Sequence, residues 1–199
     1  MVMNRALLFL LVSGIGLSQI KSTNDLGAAK LLVASRDLAD PNFTKTVILL
    51  VHDDGDKVLG LILNRRTDIA LSTALPTLRA AKGRADRMYT GGPVDATTVF
   101  AMLQSEAKLE GAPRIFDDVY LVLTRAVLEQ QIASRRDPAV FHIYLGYSGW
   151  TSDQLRREVE LGAWFVFPAD AATVFDSDPD TLWARMIRKT EQKMARSDE

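Results

Sequence analysis

The stretch that most constrains this chain runs from Thr44 to Leu63, where two apolar runs, TKTVILLV and VLGLIL, flank His52-Asp53-Asp54-Gly55-Asp56. β-Branched residues crowd the first run, and such side chains pack well on a pleated surface. The Asp-Gly pair supplies the backbone freedom of a tight turn. Neither run alternates with polar residues, so the pattern predicts a buried β-hairpin.

Other segments add to this hairpin. Lys30–Ala34, Thr97–Leu103, Val119–Leu123, Val140–Leu145 and Trp164–Phe167 are predicted strands. A short helix is expected over Leu71–Leu78, against the opposition of Pro76. Arg125–Ser134 carries Val127, Leu128 and Ile132 at helical spacing, and Thr151–Leu161 forms a helix ended by Gly162. A last helix starts at Asp178, an N-cap followed by Pro179 in the first helical position. Its apolar face holds Leu182, Trp183, Met186 and Ile187. Ala80–Arg87 and the segment around Gly111 and Pro113 are predicted loops, and Gly91-Gly92-Pro93 a turn. Hairpins mixed with scattered helices indicate an α+β fold rather than a regular βαβ array. A length of 199 residues suits a single domain, bounded at 30–195 between a linker (19–29) and a short tail (196–199).

The chain has no cysteine, which removes disulfides, thiolate metal sites, iron–sulfur clusters and a cysteine nucleophile together. Its net charge of -1 draws the molecule neither to nucleic acid nor to anionic lipid. The two histidines, His52 and His142, stand far apart, and the aspartates of 53–56 fail the spacing of a calcium loop. No metal and no cofactor are expected.

The densest motif is Gly146-Tyr147-Ser148-Gly149-Trp150-Thr151-Ser152-Asp153-Gln154. A serine between a strand and a helix suggests a nucleophile elbow, but Trp150 stands where that motif needs its second glycine. The structural reading has Thr151 and Gln154 forming a capping box, with the glycines turning the chain and the aromatics packing beside it. Gly91-Gly92-Pro93 could offer amides to an anion, yet lacks the ending of a phosphate loop. Arg65, Arg66, Arg79, Lys82, Arg84 and Arg87 could form a phosphate-binding patch, against a solvated loop as the default.

Five segments together carry a resemblance: LLVASRDLADPNFTKTVILLVHDD, GLILNR, YTGGPV, HIYLGYSGWTSDQLRREVELGAWFVFPAD and FDSDPDTLWARMIR. From about Lys30 to Arg188 the chain resembles the YqgE/AlgH family of bacterial proteins. That resemblance implies an α+β fold in which a branched, mixed and antiparallel sheet folds into a partial barrel with surrounding helices. It implies no agreed activity. Some family members are linked by name to the regulation of alginate synthesis, without a recognisable DNA-reading element. The family-motif residues Asn64, Gly91, Gly92, Pro93, Gly146, Tyr147, Gly149, Trp150 and Gln154 are carried over as structural or ligand-facing.

Three functions stay open at this point. The first is a non-enzymatic regulatory domain acting through a protein or small-molecule partner. The second is a hydrolase or transferase with a cleft near Asn64, Gly91, Gly92 and Ser148. The third is a nucleic-acid-associated regulator using the basic residues.

The first eighteen residues pose a separate question. Arg5 precedes the uncharged apolar run ALLFLLVSGIGL, and the small-x-small triplet Gly16-Leu17-Ser18 closes it. At about 12 residues this run falls short of the roughly 20 that span a bilayer, and the pattern is that of a secretory signal. Export to the periplasm or beyond is expected, against the cytoplasmic habit of the resembled family. Sequencing the mature N-terminus from fractionated host cells should find a start near Gln19. An intact Met1 or Val2 confined to the cytosol would refute the signal reading.

Overall fold

The computed structural model describes residues 26–197, with side chains to Thr190. The signal-like leader and most of the expected linker lie outside the described residues.

Ten strands and five α-helices are present among the described residues. β1 (Lys30–Ala34), β2 (Val47–Asp53) and β3 (Lys57–Ile62) form an antiparallel meander, with β10 (Trp164–Pro168) on the outer edge of β1. Gly55 takes its expected left-handed conformation at the β2–β3 turn, with φ of 91°. β9 (Phe141–Thr151) then joins this meander to a second set. That set holds β6 (Val94–Gln104), β8 (Val119–Val122) and β7 (Arg114–Phe116). β5 (Arg87–Thr90) pairs in parallel with β9, and β4 (Arg66–Ala70) pairs with β5, so the sheet branches at β9. The whole curls into a half-barrel.

Burial explains the unbroken apolar runs. Leu31 to Ala34 and Val47 to Leu50 are all fully buried, although neighbouring strand residues point to opposite faces. Both faces of this part of the sheet are therefore covered. Leu182, Trp183, Met186 and Ile187 of α5 (Pro179–Ser197) cluster with these strands, and Trp183 donates its indole N–H to the Ala34 carbonyl at 2.8 Å.

The second set of strands divides its residues between two cores. Ala101, Leu103, Phe141 and Ile143 join a core with Leu128 and Ile132 of α2 (Arg125–Ala133). Met102, between Ala101 and Leu103, and Tyr144, next after Ile143, join the larger core around β1 to β3. Strand alternation thus makes this sheet a shared wall. α1 (Leu71–Ala74) and a 3-10 turn (Arg79–Ala81) close the smaller core from another side.

Several elements differ from the sequence expectations. The helix expected over Leu71–Leu78 is one turn long, ending before Pro76. The loop with Gly111 and Pro113 contains β7, and Arg66 begins β4. α4 (Ala171–Val174), capped by Asp170, was not foreseen. β9 does not stop at Leu145 but runs through GYSGWT to Thr151, where α3 (Ser152–Glu160) begins.

Candidate functional site

Two glycine segments that are remote in sequence meet where the sheet branches. Tyr144 and Leu145 pair with β6 on one edge of β9 and with β5 on the other. The chain must therefore cross β9 between Thr90 and Val94, and it does so on Gly91 and Gly92. A Cβ on Gly92 would lie 2.2 Å from the Tyr147 carbonyl carbon, and one on Gly91 would lie 2.3 Å from the Gly146 oxygen. Gly146 has φ of 69°, a left-handed value in mid-strand, and a Cβ there would sit 2.8 Å from the Gly92 oxygen.

Hydrogen bonds fasten the crossing. The Gly91 N–H donates to the Leu145 carbonyl at 2.7 Å, and the Gly91 carbonyl accepts from the Ile62 N–H at 2.9 Å. Ser148 donates its hydroxyl to the same Gly91 carbonyl at 3.2 Å. Gly91, Gly92 and Ser148 do converge, as the hydrolase reading requires, but backbone occupies the space between them. The Ser148 side chain is 0% exposed. The expected tight turn at Gly91-Gly92-Pro93 is instead this crossing.

Asn64 faces elsewhere. Its side-chain oxygen accepts from the Val47 N–H at 2.8 Å, and its amide donates to the Lys45 carbonyl at 2.9 Å. Arg65 donates to the Pro41 carbonyl at 3.2 Å. Together the two residues of the GLILNR motif hold the loop before β2. That loop delivers Phe43, whose ring stacks on Trp150 at 5.5 Å and meets Trp164 edge-on at 5.7 Å.

Glu158 of α3 gathers the polar atoms of this aromatic group. One carboxylate oxygen accepts from Trp150 Nε1 at 3.0 Å and from Trp164 Nε1 at 2.8 Å, while the other accepts from Gln154 Nε2 at 2.8 Å. Half of the expected capping box is present: Thr151 Oγ1 accepts from the Gln154 N–H at 3.1 Å. The Gln154 side chain turns forward to Glu158 rather than back to Thr151. Buried indole N–H groups need an acceptor, and Glu158 supplies it to both. Tyr147 and Gly149 stand on the other side-chain row of β9 from Trp150, and Tyr147 meets Phe100 edge-on at 6.0 Å.

His142 belongs to the packed interior. It stacks on Tyr89 at 4.6 Å, meets Phe175 at 5.2 Å, and lies 3.5 Å from the Tyr144 hydroxyl. Burial pushes its pKa down to about 4, against a smaller upward pull from the Pro138 backbone, so the ring is neutral near pH 7. His52 lies 3.7 Å from Asp54 on the exposed hairpin tip. Among the described residues no group of three or more His, Asp or Glu side chains is arranged to hold a metal ion.

The basic residues do not act together. Arg65 serves the loop before β2, and Arg66 pairs with Asp180 at 3.4 Å. Arg87 pairs with Asp68, and Arg84 pairs with Asp86 while donating to the Ile132 carbonyl at 2.8 Å. Arg79 and Lys82 are the two of the six with neither an ion pair nor a side-chain hydrogen bond among the described residues. Both line a shallow depression of about 310 Å³, with Ser72, Leu75, Pro76 and Leu78.

Comparison with known proteins places the chain. A family model described as AlgH-like, DUF179, matches residues 31–195. A UPF0301 protein of Azoarcus sp. (strain BH72) is 34% identical over 173 residues, covering 83% of this chain and 92% of the relative. Another, of Streptomyces avermitilis, is 32% identical over 189 residues, covering 90% of this chain and 93% of the relative. The solution structure of the AlgH protein from Pseudomonas aeruginosa superposes with a TM-score of 0.67 at 27% identity, covering 88% of this chain and 93% of that one. A crystal structure of a Corynebacterium diphtheriae protein shares the fold, with a TM-score of 0.68 at 23% identity over 83% of this chain and 88% of that one. The chain belongs to the AlgH-like family.

Two stability predictions come from these contacts. Gly92→Ala forces a methyl into the Tyr147 backbone and should cost about 3 kcal/mol or more, the upper end for overpacking. Gly27→Ala, with nothing within 4 Å of the added carbon, should stay within about 0.5 kcal/mol in the same denaturant titration. Trp150, 4% exposed, anchors Phe43, Trp164 and Glu158, and Trp150→Ala should cost about 3–5 kcal/mol. A melting curve like that of the unmodified protein would refute the anchoring role.

Proposed function

We propose that this AlgH-like protein is a regulatory domain that works by binding a partner rather than by turning over a substrate. The observation that carries this reading is how the polar side chains in and beside the family motifs are engaged. The Ser148 hydroxyl is enclosed and bonded to Gly91, both ends of the Asn64 amide hold backbone, and Glu158 serves two indoles and an amide. A nucleophile needs access to substrate and a base within hydrogen-bond reach. The acceptor on Ser148 is a backbone carbonyl, which cannot take up its proton. Motif residues that maintain the frame leave specificity to the surface, where loops and grooves vary.

Affinity capture from the native host, with bound proteins and metabolites identified by mass spectrometry, tests this reading. The protein and its Ser148→Ala variant should retain the same partner with similar yield. Labelling of Ser148 by a fluorophosphonate, lost in the alanine variant, would overturn the proposal in favour of serine catalysis.

A further inference from the structure

The trough between the 72–83 segment and α2 stands apart from the frame just described. Its two depressions, of about 310 and 610 Å³, share Thr77 and Arg79 as a common rim. They form one continuous surface rather than two separate pockets. We propose that this trough docks an extended acidic segment of a partner protein, a conclusion that rests on the partner-binding reading and gives it a location.

Charge is the first argument. Arg79 and Lys82 are exposed, and neither meets a carboxylate among the described residues. Glu129, the acidic side chain in the trough, is turned to Arg125 at 2.7 Å. The lining therefore presents two uncompensated cations. Arg84, nearby, is already matched by Asp86.

Shape and surface chemistry give the second argument. Leu75, Pro76, Ala80, Ala126 and Ala133 supply an apolar lining with little side-chain bulk. Such a lining admits the small side chains of an extended chain between its charged ones. Nucleic acid suits it less well. Phosphate backbones are held by several cations in a row, and single strands by aromatic stacking platforms. Here there are two cations, and no aromatic side chain lines either depression.

Rigidity is the third. Arg84 donates to the Ile132 carbonyl at 2.8 Å, tying the 3-10 segment to the end of α2. The Leu71 N–H donates to the Asp86 carbonyl at 2.9 Å, and the Ser72 N–H to the Arg84 carbonyl at 3.3 Å. Both walls are set before a ligand arrives, which reduces the ordering cost of binding.

The test uses fluorescence anisotropy with the full chain and three labelled probes: a short peptide alternating Glu with Ala and Leu, its Lys-for-Glu counterpart, and an oligo-dT of similar length. The acidic peptide should bind with an affinity that falls as salt rises, and the other two should not. Arg79→Glu/Lys82→Glu should weaken it at least about tenfold, and Ala126→Glu should also weaken it. All three positions are exposed, and an unchanged melting curve confirms that the variants fold. Equal binding of the basic peptide, undiminished binding by the double variant, or stronger binding of oligo-dT would each overturn the proposal. In the capture experiment, a partner kept by the double variant would reject the trough but leave the partner-binding reading standing. Capture of nothing by the unmodified protein would reject both.

Discussion

The close passage of Gly91 and Gly92 over Gly146 to Ser148 is the contact on which the other features of this molecule depend. β9 must serve β6 along one edge, and β5 and then β3 along the other. Where β5 gives way to β3, the chain has to cross from one edge to the other before β6 can begin. Hydrogen bonds from Ile62, Gly91 and Ser148 meet at that crossing and bind the meander, β5 and β9 together. A side chain at Gly91, Gly92 or Gly146 would hold the segments apart by more than those bonds can span. The branching of the sheet is thus a consequence of missing Cβ atoms at a few positions.

This dependence explains what the sequence made legible. The β2–β3 hairpin, α2, α3 and the start of α5 are encoded by local pattern: apolar runs, an Asp-Gly turn, helical spacing, the Thr151 cap and the Asp178-Pro179 start. The second half of β9 was not legible, because Gly-Tyr-Ser-Gly-Trp has the composition of a turn. Gly146 is required by a segment more than fifty residues earlier in the chain, and no local rule conveys that. β4 and β7 are short and carry exposed arginines, so nothing in their pattern marked them as strands.

At the candidate site the motifs could be located from sequence, but their roles could not. Asn64 and Gln154 stood out as motif residues, whereas Glu158 was hidden in the charged run RREVE. Its importance arises from two tryptophans brought together by the fold, one from β9 and one from β10. The arginines show the converse. Counted along the chain they suggest one patch, but in space most are matched separately by Asp68, Asp86 and Asp180 or by backbone carbonyls. What remains, Arg79 and Lys82 beside α2, becomes distinctive once the others are paired.

The sharing of one sheet by two cores has a consequence for how the chain is made. Strand β9 contributes Phe141 and Ile143 to one core and Tyr144 and Trp150 to the other, yet it is among the last strands synthesised. Until it leaves the ribosome, β3, β5 and β6 have no central partner and both apolar interiors lack a wall. The nascent chain thus carries its buried hairpin unprotected for most of translation, and consolidates late through long-range pairings. The order of the strands thus defers the closing of both cores to the end of synthesis.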